Sequence, residues 1–105
     1  MFPRRFFRIN YVTKAKVTIS EACFEAMTDN LSAGGIFLHT DYSLPIGTVA
    51  TINFTIPNTS HPSVTVKAEV IRRSQQGVAF EFKSLDYFTF TNLKAFIRHK
   101  PLPYW

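Results

Sequence analysis

Cysteine is almost missing from this sequence, with Cys23 as its single example. One cysteine cannot form an internal disulfide, and it offers no CxxC pair to a metal. His39, His61 and His99 stand too far apart in sequence to share a metal-ligand spacing. We therefore expect no metal or other cofactor, and we expect Cys23 to be a small packed side chain rather than a nucleophile.

Long apolar runs are missing too. No stretch approaches the roughly 20 apolar residues that a membrane-spanning helix needs. The chain does not open with a basic start, a continuous apolar core and a small-residue cleavage site, as a secretory signal would. The sequence also shows no Ser/His/Asp order, no carboxylate pair with a plausible cleft and no phosphate-binding P-loop. We expect a cytoplasmic protein that is not an enzyme and does not bind a membrane.

Acidic residues are absent from the first sixteen positions, although the chain has seven of them. The length of 105 residues, with 46% hydrophobic and 18% charged residues, suits one globular domain with a real core. The net charge is +5, and the whole excess lies in the N-terminal segment. A localised positive field of this kind attracts nucleic acid, anionic lipid or a phosphorylated small molecule. The basic residues of this segment are Arg4, Arg5, Arg8, Lys14 and Lys16.

From Lys14 to Lys83 the hydrophobic residues alternate in short segments separated by turn residues. Alternation of period two with a turn every 8 to 12 residues is typical of an antiparallel sandwich or barrel. The pair Gln75-Gln76 predicts a tight hairpin. The predicted strands are Ala15–Ser20, Glu21–Thr28, Gly35–Thr40, Thr48–Ile56, Val64–Ser74 and Gly77–Lys83.

After Ser84 the hydrophobic period changes from two to about 3.6 residues, which predicts one helix. Either Ser84 or Asp86 is available as its N-cap, and Pro101 and Pro103 end it. The residues that follow the helical period are Leu85, Phe88, Leu93, Phe96 and Ile97. The prediction for the whole chain is six strands followed by one helix.

The segment "TDNLSAGGIFL", residues 28–38, is more polar than a simple hairpin requires. An ordinary turn explains Gly34 and Gly35 but not the spacing of Asn30 and Ser32. If the preceding strand continues that far, the two polar side chains project from one face. Gly35 beside them allows close backbone approach or a positive φ. Together these residues predict a small polar platform.

Two arginines of the N-terminal segment show a similar spacing. Arg4 and Arg8 lie about 13 Å apart on one face of an extended chain and about 6 Å apart in a helical turn. A guanidinium binds phosphate through two hydrogen bonds, and it also matches the O6 and N7 acceptors of guanine. The pair therefore suits a ligand with more than one anionic or acceptor site.

Taken in order, Arg4-x-x-x-Arg8 and Asn30-x-Ser32-x-x-Gly35 resemble the RxxxR and [D/N]xSxxG motifs of the PilZ domain family. The stretch "GVAFEF", residues 77–82, is similar to the last barrel strand of that family, and the resemblance covers nearly the whole chain. The resemblance implies a six-stranded antiparallel β-barrel followed by a C-terminal helix. It also implies cyclic di-GMP, a bacterial second messenger with two guanines and two phosphodiesters, as the ligand.

The resemblance further implies a role for each motif residue. Arg4 and Arg8 would contact guanine edges and phosphates. Arg5 is included as a candidate phosphate contact, although a solvated neighbour of Arg4 is the favoured interpretation. The residues that would line the other guanine-facing surface are Asn30, Ser32 and Gly35.

The resemblance divides the chain into a basic arm, residues 1–13, and a single barrel domain with its helix, residues 14–105. Ligand binding would order the arm and signal to a protein partner that the sequence does not name. Two alternatives stay open: a PilZ-fold interaction module without ligand, and a small basic barrel that binds nucleic acid. The net positive charge is confined to one arm, which argues against the barrel that binds nucleic acid. Arg72 and Arg73 lie where the fifth predicted strand ends and could approach the same face, although exposed strand-end charges are the favoured interpretation.

Overall fold

The chain folds as a closed antiparallel β-barrel with one C-terminal helix. The computed structural model describes residues 8–99. A short first strand, β1 (Ile9–Asn10), precedes the six long strands of the barrel. These are β2 (Lys14–Ile19), β3 (Ala22–Leu31), β4 (Gly35–His39), β5 (Val49–Thr55), β6 (Ser63–Arg73) and β7 (Gly77–Lys83).

Every strand pair in the barrel is antiparallel. The long strands follow the order β3-β2-β5-β6-β7-β4, and β4 pairs back to β3, which closes the barrel. Closure leaves the long strands without the unpaired edges that an open sheet exposes. The predicted six-stranded barrel with its helix is confirmed. β3 reaches Leu31, three residues beyond its predicted end, and so includes Asn30.

The barrel core follows from the alternation of the strands. In β5 and β6 each second side chain is buried, so that Ile52 and Phe54 share the inner face of the barrel with Val66 and Val70 of the neighbouring strand. Full burial of a side chain of this size contributes about 1.5–3 kcal/mol. Removal of any one of them would therefore cost a large part of the stability typical of a domain this small.

The helix α1 (Tyr87–His99) begins as the sequence predicts, with Asp86 as its N-cap. The Oδ1 atom of Asp86 accepts the backbone N–H of Thr89 at 2.6 Å. This bond holds the pKa of the Asp86 carboxyl below its usual range. Leu93 and Ile97 are buried against the barrel core. Within residues 8–99 no helix is long and apolar enough to cross a membrane.

Two side chains lie outside the core that the sequence predicted for them. Phe88 follows the helical period but is 56% exposed, and its ring contacts His61 edge-on at 4.7 Å. Cys23 is exposed on β3, opposite Thr18 of β2, so the expectation of a packed thiol is wrong. The predicted hairpin at Gln75-Gln76 is confirmed by a hydrogen bond from Ser74 N–H to the Gly77 carbonyl at 2.9 Å.

Candidate functional site

A β-bulge in β3 sets the geometry of the candidate site. Thr28 pairs with Leu38 and Asn30 pairs with Phe37, so Asp29 is the extra residue between them. A bulge bends its strand and redirects the side chains that follow it. Here it lies immediately before the polar segment that the sequence singled out.

Buried Thr28 ties the segment after β1 to the same point of β3. Its Oγ1 accepts the backbone N–H of Thr13 at 2.8 Å and donates to the carbonyl of Tyr11. The Tyr11 hydroxyl donates to the carbonyl of Thr55 at 2.6 Å, and its ring packs edge-on against Phe96 at 5.0 Å. The base of the N-terminal arm is therefore held by β3, β5 and the helix.

This anchoring brings the two sequence motifs together. In the β1–β3 pairing, Ile9 lies opposite Leu31 and Asn10 opposite Asn30. One further step of the same register places Arg8 beside Ser32. The last arginine of the first motif thus lies immediately before β1 and next to the serine of the second motif, which is 24 residues further along the chain.

The Ser32 hydroxyl organises the β3–β4 turn. Its Oγ accepts the backbone N–H groups of Gly34 and Gly35, both at 3.1 Å, and its own N–H donates to the Gly35 carbonyl at 2.9 Å. A hydroxyl that accepts two bonds still has its own hydrogen to donate. This hydrogen is directed to the Gly35 carbonyl at 3.5 Å, a long and weak bond that an acceptor on a ligand could replace.

Gly35 is required by the barrel itself. A Cβ on this residue would lie 2.3 Å from the carbonyl oxygen of Phe80 in β7, too close for any real contact. Of the two roles that the sequence allowed for this glycine, close backbone approach is therefore the one observed, and its φ is not positive. The approaching backbone belongs to the neighbouring strand.

A cavity of about 520 Å³ opens where these elements meet. This volume is within the range of small-molecule sites. The four motif residues that the structure describes all line it, so the structure brings Arg8, Asn30, Ser32 and Gly35 around one space. The remaining lining residues are Gly34, Ile36, Phe37, Ile71, Arg72, Ala79, Phe80, Glu81 and Phe82. The predicted positions Arg4 and Arg5 lie outside the described residues.

Arg72, which the sequence analysis favoured as an exposed strand-end charge, is exposed and also lines the cavity. β6 carries a second bulge, because Val70 pairs with Phe80 and Arg72 with Ala79, which leaves Ile71 as the extra residue. The bulge puts Ile71 and Arg72 at the cavity instead of leaving them as ordinary strand-end residues. No feature of the segment "VIRRS", residues 70–74, predicts this bulge from the sequence.

The cavity has a net positive lining. Within residues 8–99 neither Arg8 nor Arg72 forms an ion pair, so both charges are available to an anion. Glu81 is the acidic lining residue, and Lys83 approaches it at 3.8 Å while also contacting Glu69 at 3.2 Å. Lys83 thus offsets part of the negative charge.

Asn30 is held by a chain of side-chain hydrogen bonds. Its Nδ2 donates to Asp29 Oδ2 at 2.8 Å, and Asp29 Oδ1 lies 3.1 Å from Nε2 of His39. The Nδ1 atom of His39 lies 3.1 Å from the carbonyl of Gln76. The Asn30 bond, followed by the His39 bond, lowers the pKa of Asp29, and the Gln76 carbonyl, followed by Asp29, raises the pKa of His39.

The fold and the cavity define a small β-barrel module with a cationic site suited to an anionic small molecule. The PilZ domain model matches residues 3–99. The chain therefore belongs to the PilZ domain family. No curated protein sequence matches this chain.

Solved structures show the same fold at low sequence identity. The Bacillus subtilis inhibitor of motility MotI/DgrA is 19% identical with a TM-score of 0.79 over 93% of this chain. The chain spans 51% of the length of that protein. The PilZ domain of YcgR from Escherichia coli, solved with c-di-GMP, is 15% identical with a TM-score of 0.71, covering 90% of this chain and 89% of its own. The PilZ domain of CeSA from a cellulose-synthesizing bacterium is 18% identical with a TM-score of 0.70, covering 89% and 99%.

Proposed function

We propose that this domain is a receptor for cyclic di-GMP and acts in the cytoplasm without catalysis. The observation that carries the proposal is the convergence of Arg8, Asn30 and Ser32 on one cavity of small-molecule size. They come from two motifs that are distant in sequence, and the β1–β3 register brings them together. Membership of the PilZ family and the ligand bound to the YcgR domain support the choice of ligand.

Several of the described lining residues have chemistry that fits this ligand. Arg8 and Arg72 supply planar guanidiniums for phosphodiester oxygens or for the O6 and N7 atoms of guanine. Asn30 and Ser32 supply neutral hydrogen bonds, and Phe37 and Ile71 supply apolar surface for the base. Arg4 and Arg5 remain proposed contacts from the motif alone.

We further propose that the arm, residues 1–13, closes over the ligand ahead of its anchored base at residues 9–13 and thereby signals to a protein partner. Arg8 belongs to the arm and lines the cavity, so the negative charge of the ligand would attract the arm directly. Closure would change both the shape and the charge of the surface around the site. Limited proteolysis tests this step, because we expect the ligand to slow cleavage within the first ten residues, and equal rates would contradict it.

Isothermal titration calorimetry with cyclic di-GMP tests the receptor assignment. We expect Arg8→Ala to weaken binding about 10- to 100-fold, since hydrogen bonds to a charged group contribute about 1.5–3 kcal/mol. Arg98→Ala is the matched control, because Arg98 is an exposed arginine on α1 outside the cavity. A folded wild type that does not bind the ligand would refute the proposal and favour an interaction module.

The nucleic-acid alternative predicts a different salt dependence. The strand aromatics Phe54, Phe80 and Phe82 are buried, so these rings offer no exposed platform for stacked bases. A polyanion bound through many phosphates loses affinity steeply with salt, whereas a ligand with two phosphodiesters loses far less. We expect the shallow slope for cyclic di-GMP and only weak, salt-sensitive binding of single-stranded DNA.

A further inference from the structure

The hydrogen-bond chain behind the cavity runs from the Gln76 carbonyl through His39 and Asp29 to Asn30. It joins the β6–β7 turn, β4 and the β3 bulge in a single line. The sequence motif includes only Asn30 of these residues. His39 and Asp29 do not line the cavity, so they can affect a ligand only through Asn30 or through their charge.

The partners of His39 decide its protonation state. Nδ1 faces a carbonyl oxygen and Nε2 faces a carboxylate oxygen, and both of these groups only accept hydrogen bonds. A neutral imidazole carries one N–H and satisfies one partner, whereas the imidazolium carries two and satisfies both. The geometry therefore selects the charged ring.

Asp29 then serves two neighbours at once. One of its oxygens contacts His39 and the other accepts a hydrogen bond from the Asn30 amide. The bond to Nδ2 fixes the orientation of that amide. With Nδ2 directed to Asp29, the Asn30 Oδ1 atom is left as the acceptor for a donor from elsewhere. Loss of the His39 proton would leave the Asp29 charge unbalanced, close to a site for an anion.

We infer that His39 and Asp29 are positioning residues for Asn30 and that they make ligand affinity depend on pH, with tighter binding when His39 carries its second proton. This inference rests on the proposed function. The protonated ring neutralises Asp29 and keeps the amide oriented, so the dianionic ligand meets a site with one more positive charge.

No other described charge competes for His39. On β3 the charged group facing it is Asp29, and its ladder partner there is Met27. From β7 its ladder partner is Gly77, and from the β6–β7 turn it meets a backbone carbonyl. On its own strand it meets the Phe37 ring, edge-on at 5.8 Å.

The direction of the effect follows from linkage. The pKa of His39 is raised above its ordinary value, so the charged ring is present below the ordinary histidine pKa and is lost as pH rises through the raised value. Asp29 stays ionised over this window, because its pKa is lowered. Both side chains are nearly half exposed, at 47% and 45%, so the effect is modest.

The test is a series of cyclic di-GMP titrations by calorimetry from pH 5.5 to pH 8.5. We expect wild-type affinity to fall about three- to tenfold across the series, the size of one charge acting through a largely aqueous path. His39→Gln should bind with nearly constant affinity. The matched control is His61→Gln, since His61 is exposed beside Phe88, and this variant should keep the wild-type profile.

Two further measurements separate positioning from a general charge effect. In an Asn30→Ala background, His39→Gln should change affinity less than it does in the wild type, because the oriented group is gone. Side-chain NMR of the ligand-free protein should show that Asp29→Asn lowers the pKa of His39. An unchanged pKa of His39 in that variant would overturn the inference without any use of ligand.

The titrations distinguish this inference from the proposed function. Binding that is equally pH-dependent in His39→Gln, or pH-independent in the wild type, would refute the positioning role and leave the receptor assignment intact. A folded wild type that binds no ligand at any pH would refute both.

Discussion

Replacement of Gly35 by alanine should disrupt the barrel more than it disrupts ligand contact. The added Cβ would lie 2.3 Å from the Phe80 carbonyl oxygen, against about 3.4 Å for an ordinary contact. The clash partner is backbone, so β4 and β7 must separate by about 1 Å where they pair. That movement strains the β4–β7 ladder, which forms part of the closed barrel.

The magnitude follows from two contributions. Overpacking by one methyl group costs about 1–3 kcal/mol, and one weakened ladder hydrogen bond adds about 0.5–1.5 kcal/mol. We therefore expect Gly35→Ala to lower the free energy of unfolding by about 2–4 kcal/mol. For a domain of this size the melting temperature should fall by about 10–20 °C. Thermal and urea unfolding followed by circular dichroism would measure both.

Two other glycines supply the comparison. At Gly77, on the same ladder but outside the cavity, a Cβ would lie 2.0 Å from the Leu38 carbonyl oxygen, so Gly77→Ala should be destabilised to a similar degree. At Gly47 nothing lies within 4 Å, and its φ of +94° adds backbone strain alone, about 1–2 kcal/mol. A Gly35→Ala protein with wild-type stability and no ligand binding would refute this reasoning, because the glycine would then serve the ligand.

Two further predictions concern the anchors of the arm and of the helix. Thr28→Val should lower the free energy of unfolding by about 2–4 kcal/mol, because it removes the hydrogen bonds of the Thr28 hydroxyl to the Thr13 N–H and the Tyr11 carbonyl. Thr28→Ser should retain most of the stability, and equal urea midpoints for the valine variant and the wild type would contradict this. Asp86→Ala should destabilise the protein at neutral pH. Since the pKa of Asp86 is lowered, its contribution to stability is present above the ordinary aspartate pKa and is lost as pH falls through the lowered value. The urea midpoints of variant and wild type should therefore converge in acid. A difference in midpoint that persists in acid would contradict the capping role.

Much of the fold could be predicted from local patterns. The alternation of residues 64–74 and 77–83 and the turn between them predicted β6 and β7 almost to the residue, because a pleated strand with one buried face imposes a period of two. Asp86 was one of two N-cap candidates, and it caps the helix because its carboxylate reaches the N–H three residues on. Phe88 follows the helical period but is exposed, since it lies in the first turn and packs edge-on against the exposed His61.

The site was predictable only in part. The positions of Arg8, Asn30 and Ser32 could be singled out, because charge and turn chemistry are visible in the sequence, and their spacing resembled the PilZ motifs. The roles of these residues toward a ligand remain proposals. Cys23 was expected in the interior on the usual behaviour of cysteine, but the phase of β3 places it outside.

The sequence by itself determined the six strands, the helix and the location of the positive charge, since each depends on residues close together along the chain. Only the tertiary structure decided what surrounds the cavity. The bulges at Asp29 and Ile71 arise from pairing between strands that are distant in sequence, and they place Arg72 at the site and His39 behind Asn30. Gly35 is needed because barrel closure brings the Phe80 carbonyl against it. The two residues are 45 positions apart, so no local sequence pattern predicts this contact.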